Sequence, residues 1–127
     1  MRANRQDDGF TLVELLVTIV IIGVLVAISL PVLVGERTKG YQAAMASDLR
    51  EAVTAEEAFS SSNQGRFTDL ASELHTEGYR ASDGVTPVHV RLIGASYVAC
   101  VKHDNVTTWL VYDGSTGDLT HSSSDCL

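Results

Sequence analysis

From Phe10 to Val34 the chain is apolar with a single charged residue, Glu14, and no further charge appears until Glu36. Thr11, Thr18 and Ser29 are the other polar members of the run. At about 1.5 Å per residue, a helix over this stretch crosses a hydrocarbon core of about 30 Å. In lipid every backbone group of a lone spanning segment must be satisfied internally, which leaves the helix as its form. A carboxylate inside such a helix costs about 2.5–3.5 kcal/mol on insertion scales, so Glu14 requires a purpose or a partner. A plain anchor would not keep it.

A cleavable secretory signal is the plainest competing interpretation, with an apolar region of about 7–15 residues and small residues at the cut. The run here is longer, and Val32-Leu33-Val34-Gly35 is a poor cleavage site. Arg2 and Arg5 precede the span while Arg37 and Lys39 follow it, so the positive-inside rule barely orients it. The cysteines orient it better. Cys100 and Cys126 are a disulfide-capable pair beyond the span, and disulfides persist in oxidising compartments. This places the amino terminus in the cytoplasm and the carboxyl-terminal part outside.

The chain has 127 residues, so little beyond the span remains for a water-soluble core. A small core benefits from a covalent staple. Joining Cys100 to Cys126 closes a loop whose entropy is worth about 3–4 kcal/mol, the alternative being two free buried thiols. Sixteen acidic residues against nine basic ones give a net charge of −7, which argues against a nucleic-acid partner.

The periodicity predicts one long helix from Phe10 to Phe59, about 75 Å of rod, with Gly23 and Pro31 as weak points. Beyond Gly40 it becomes amphipathic: Tyr41, Met45, Leu49, Ala52, Val53 and Phe59 form the apolar stripe. Asp48, Arg50, Glu51, Glu56 and Glu57 are assigned to the remaining, solvated surface. Turn residues from Ser60 to Gly65 end the helix. A short helix follows from about Asp69 to Glu77, with Thr68 as N-cap and Gly78 as terminator. Val88–Ile93, Tyr97–Lys102 and Thr108–Tyr112 read as strands, and Leu119-Thr120 as the stub of a fourth. Tyr97, Ala99 and Val101 share one face. The expected fold is α+β, a long amino-terminal helix packed on a small antiparallel sheet. The expected segments are a leader over 1–9, an apolar helix over 10–34, its amphipathic continuation over 35–60, and a globular head over 61–127.

At Gly9–Val34 the sequence resembles type IV prepilins and pseudopilins. The resemblance rests on Gly9 before Phe10, on Thr11-Leu12-Val13-Glu14-Leu15, and on an apolar run interrupted at Gly23 and Pro31. It implies that a prepilin peptidase cuts between Gly9 and Phe10 and methylates the new Phe10 amine. It also implies that Glu14 serves assembly by meeting the Phe10 amine of an adjacent subunit, and that the helix kinks or melts near Gly23 and Pro31. The expected partners are other pilin subunits, minor pilins among them, the peptidase, an assembly platform, and membrane lipid before assembly. A pilus subunit is the leading function. A pseudopilin of a type II secretion or competence system is the alternative, and a single-span protein that never polymerises is the third.

The remaining constellations have ordinary explanations. His75, His89, His103 and His121 lack metal-ligand spacing, and His89 and His103 read as solvent-facing strand residues. Asp113-Gly114-Ser115-Thr116-Gly117-Asp118 faintly resembles a calcium loop, yet Asp-Gly and Thr-Gly are hairpin residues. Asn105-Val106-Thr107 matches the glycosylation triplet and reads as a loop; Ser122–Ser124 reads as solvated tail. No metal or cofactor is expected. No nucleophile–base pair, paired carboxylate or phosphate-cradling loop has the context catalysis needs, so an enzyme is not expected.

Overall fold

The computed structural model describes residues 9–127. Most of the expected leader, residues 1–8, therefore lies outside the described residues. Two helices and four strands follow in order: α1 (Leu12–Ser62), α2 (Ala71–Thr76), β1 (His89–Ile93), β2 (Ser96–Val101), β3 (Trp109–Asp113) and β4 (Leu119–Ser122). The strands form an antiparallel meander in the order β1-β2-β3-β4. The fold is α+β, and the chain divides after Glu36 into two compact units.

The first unit is the early part of α1. Its apolar side chains are exposed on every face, from Leu12 at 79% to Val17 at 48%. A helix that is apolar all round belongs in lipid or in contact with other helices. Its two interior hydroxyls are satisfied locally. Thr18 donates to the carbonyl of Glu14 at 2.7 Å, and Ser29 donates to that of Leu25 at 2.7 Å. Helix runs without a break through Gly23 and Pro31.

In the second unit, α1 buries Met45, Leu49, Ala52 and Ala55, spaced three and four residues apart along one face. These side chains share a core with Val90, Tyr97, Ala99, Val101 and Leu110 of the sheet. Burying a leucine- or methionine-sized side chain contributes about 1.5–3 kcal/mol, which makes this stripe the principal cohesion of the head. α1 continues to Ser62, beyond the expected Phe59, and ends where Gln64 and Gly65 take left-handed backbone.

Asp48 and Glu56 overturn their assignment to solvated surface, with exposures of 1% and 0%. Both lie beside the apolar stripe, and loops fold over them. Asp48 accepts from Ser82 N at 2.7 Å and from Ser82 Oγ at 2.6 Å, while Glu56 accepts from Thr68 N at 3.2 Å. Thr68 is also displaced from its expected role. The residue before α2 is Leu70, whose amide donates to Thr68 Oγ1 at 3.1 Å, and the Thr68 hydroxyl donates to Glu73. Gly78 does end α2, with φ of 104°. There Tyr79 N reaches Leu74 O at 3.0 Å and Gly78 N reaches His75 O at 3.3 Å, the two bonds of a Schellman closure.

β2 is buried on both faces. Tyr97, Ala99 and Val101 face α1, whereas Val98 and Cys100 form a second cluster with Cys126, flanked by Trp109 and Val111. The tail covers the far face because Cys100 and Cys126 are joined, with Cα atoms 6.0 Å apart. Replacing both cysteines with alanine is expected to lower the head's unfolding free energy by about 3 kcal/mol, the loop-entropy value for this separation. Urea unfolding of the oxidised protein and the double variant, followed by tryptophan fluorescence, measures the difference. Equal midpoints would refute it.

Candidate functional site

Gly9, Phe10 and Thr11 precede the helix without regular secondary structure, and Phe10 is 91% exposed. Helix begins at Leu12 because Thr11 caps it. Leu15 N donates to Thr11 O at 3.2 Å, and Glu14 N donates to Thr11 Oγ1 at 3.2 Å. Glu14 answers in the other direction: its Oε2 accepts from Thr11 N at 2.8 Å and from Thr11 Oγ1 at 2.9 Å. This is a capping box, which satisfies two otherwise orphaned donors reciprocally. It also places a carboxylate at the positive end of the helix dipole.

Read only as a costly charge, Glu14 conceals this capping role. The signal was present in the Thr11-x-x-Glu14 spacing before an apolar run. Glu14 thus has a local use in the single chain besides any use between chains. The Gly9–Phe10 bond lies outside the helical hydrogen-bond ladder, and a Cβ added at Gly9 would meet nothing within 4 Å. An exposed bond outside the helix, after a residue with no side chain, is a form that a peptidase can bind. Hydrolysis there would turn Phe10 into a terminal amine one residue before the cap.

The other singled-out residues are brought to different places. Pro31 carries no N–H, so the carbonyl of Ala27 loses its usual helical donor. His103 is buried rather than solvent-facing: it stacks on Tyr41 at 4.2 Å and its Nδ1 accepts from Asn105 N at 3.1 Å. His89 lies opposite Cys100 in the β1–β2 register, and its Nδ1 is 2.7 Å from Asp125 Oδ2. His89, Cys100 and Asp125 come close enough for a metal, but the Cys100 sulfur is committed to the disulfide. In the Asp113–Asp118 loop, Asp113 Oδ1 is taken by Ser115 N at 2.8 Å and Ser115 Oγ at 2.6 Å. Those bonds hold the Asp113 carboxyl below the usual carboxylate range. Asp113 N also donates to Asp118 O at 3.0 Å, closing the loop as a hairpin turn.

Residues 4–30 match the family described as the Prokaryotic N-terminal methylation motif. The chain is 30% identical over 96% of its length to the type IV wide pilus major component PilA4 of Thermus thermophilus, covering 98% of that protein. It is also 30% identical to the type IV major pilin protein PilA of Myxococcus xanthus over 82% of this chain, but spans only 52% of that protein's length. The competence protein ComGC of Bacillus subtilis is 34% identical over 77% of this chain and 99% of its own length. With a methylation motif at the capped apolar helix and a near full-length correspondence to a pilus component, the chain belongs to the type IV pilin family.

Proposed function

We propose that this protein is a structural subunit of a type IV pilus, stored in the membrane as a precursor and polymerised through its amino-terminal helix. The observation that carries the reading is the helix itself, apolar and exposed on every face from Leu12 to Val34 and capped by its own Glu14. Residues 1–9 serve as the leader, 10–34 as the spanning and assembly helix, 35–60 as its amphipathic continuation, and 61–127 as the rest of the head. The amino terminus lies in the cytoplasm and the head outside, where an oxidising medium maintains the disulfide. The role is structural, and an assembly platform moves the processed subunit from lipid into the filament.

Cleavage after Gly9 supplies the charge that assembly uses. The new Phe10 ammonium would sit at the positive end of a helix dipole, an unfavourable place for a cation. Among packed helices without water, it needs a carboxylate close by. Glu14 of an adjacent copy meets that need, exchanging its own Thr11 cap for the neighbour's amine. In the precursor no ammonium exists at Phe10, so helices that pack too early bury Glu14 without its partner.

A peptidase-negative strain is expected to retain Met1–Gly9, whereas purified filaments should contain a chain starting at N-methylated Phe10. Intact mass of the filament subunit reads this directly. Filaments built from chains that keep residues 1–9 would overturn the proposal.

Glu14→Gln separates capping from charge, because glutamine also serves in a capping box. The variant is expected to reach the membrane at normal levels while sheared-filament yield falls roughly tenfold or more, as when one partner of a dehydrated ion pair is lost. Thr11→Ala removes a cap worth about 1 kcal/mol and keeps the charge, so its yield should stay close to normal. Equal losses in both variants would reduce Glu14 to a helix cap.

Packed filament helices replace lipid around Gly23 and Pro31, where one backbone bond is already missing. We expect the helix to open between these residues in the filament, which a cryo-EM map would reveal. Continuous helix there would exclude the opening. The correspondence with ComGC over nearly its whole length favours a second reading, a pseudopilin of a competence or secretion machine. Long extracellular filaments, lost on deletion of the gene, distinguish the pilus from it.

A further inference from the structure

Glu56 is the most deeply buried acid of the head, with 0% exposure, and it serves neither the cap nor the disulfide. Only one of its oxygens is used. Oε2 accepts from Thr68 N at 3.2 Å, while Oε1 has no hydrogen-bond partner among the described residues. Asp48, the other buried acid of α1, accepts two bonds from Ser82, one on each oxygen. The contrast is informative, because leaving a buried charged oxygen unpaired costs more than the same oxygen in a neutral carboxyl.

The groups around Glu56 favour the neutral form. Asp69 from the α1–α2 connection and Glu73 from α2 add negative charge, and Tyr97 of β2 contributes a phenol rather than a cation. Arg66 is the cation of the connecting segment and lines a cavity of about 200 Å³ together with Asn63, Asp69 and Glu73. The neighbours that act on Glu56 through charge are thus acidic. Burial, reinforced by Glu73 and Asp69 and opposed by the Thr68 N–H, pushes the Glu56 carboxyl up from 4.5 to about 7.

We propose that Glu56 is a proton-binding site that couples the packing of the 63–70 segment on α1 to the pH outside the cell. With the proton bound, the neutral carboxyl stays dry and Thr68 remains docked. When the proton leaves, the anion draws water into the junction and the segment loosens. The filament head is therefore tighter in a mildly acidic medium than in a mildly alkaline one.

The sign follows from linkage. Below pH 4.5 the carboxyl is protonated whether the head is folded or unfolded, and no penalty applies. As pH rises from 4.5 to about 7, the unfolded chain releases its proton while the folded head holds it, so folding weakens. Above about 7 both forms are ionised and the penalty is complete. Between pH 5 and pH 8 this single group lowers the folding equilibrium constant on the order of tens of fold.

The test compares the full chain with Glu56→Gln in detergent micelles. Glutamine retains an acceptor for Thr68 N–H and cannot titrate. Between pH 5 and pH 8 the folding equilibrium constant should fall for the native protein by tens of fold more than for Glu56→Gln, and the variant should be the more stable one at pH 8. Asp48→Asn is the control, expected to destabilise at both pH values because it breaks a fully paired carboxylate. Selective ¹³C labelling of glutamate side chains provides a second measurement on the native protein, where one carboxyl resonance should titrate near neutrality. Hydrogen exchange at Thr68, corrected for intrinsic rate, should rise across the same range. Parallel pH profiles of the native protein and Glu56→Gln, or glutamate resonances that all titrate below pH 6, would overturn the proposal.

Discussion

A helix that closes all its backbone bonds internally and presents apolar side chains on every face must be covered by something outside itself. That requirement governs the first third of this protein. Lipid meets it before assembly and neighbouring helices meet it afterwards, and the two environments treat charge differently. Lipid lets a carboxylate near a helix end approach the interface. A packed bundle does not, so its carboxylate needs a fixed partner. The capping box places Glu14 between these regimes, with its charge held against Thr11 at the start of the helix. On the proposed reading, a proteolytic step that created a cation beside that cap would be a physical switch between storage and use.

The head addresses a different problem, holding a small sheet together with few residues. One helix face supplies the main core through Met45, Leu49, Ala52 and Ala55. A four-stranded meander has a second face, and the chain covers part of it with its own tail, drawn in by Cys126. His89 and Asp125 add a polar contact at 2.7 Å beside the disulfide, close to the indole of Trp109. The loops are held by polar side chains instead. Asp48 binds Ser82, Glu56 binds Thr68, and the Tyr79 hydroxyl accepts from Val88 N at 3.0 Å. Buried acids used in this way tie loops to a helix, but each must be fully paired or neutral. Asp48 satisfies the first condition, and burial beside acidic neighbours pushes Glu56 towards the second.

Local patterns determined much of this protein. Apolar length and the isolated Glu14 mark the helix that must be covered from outside, and period-two runs with Gly and Pro punctuation locate the strands to within a residue or two. Gly78 stops α2 because a left-handed position after a helix favours glycine, a property of one residue and its neighbours. The Thr11–Glu14 box was equally local and legible, though its spacing has to be sought.

Tertiary structure decided what depends on residues distant in sequence. Asp48 and Glu56 look like solvated helix charges until loops more than ten residues away fold across them. His103 reads as an outward strand residue, yet it is buried because Tyr41 of the helix stacks against it. The capacity of a charged group to be buried depends on partners that helical periodicity cannot supply, and those partners come from other elements. The sequence by itself therefore determined which segments form and which helix must be covered. Only the folded head decided which acids lose their water, because desolvation is a property of surroundings and not of spacing.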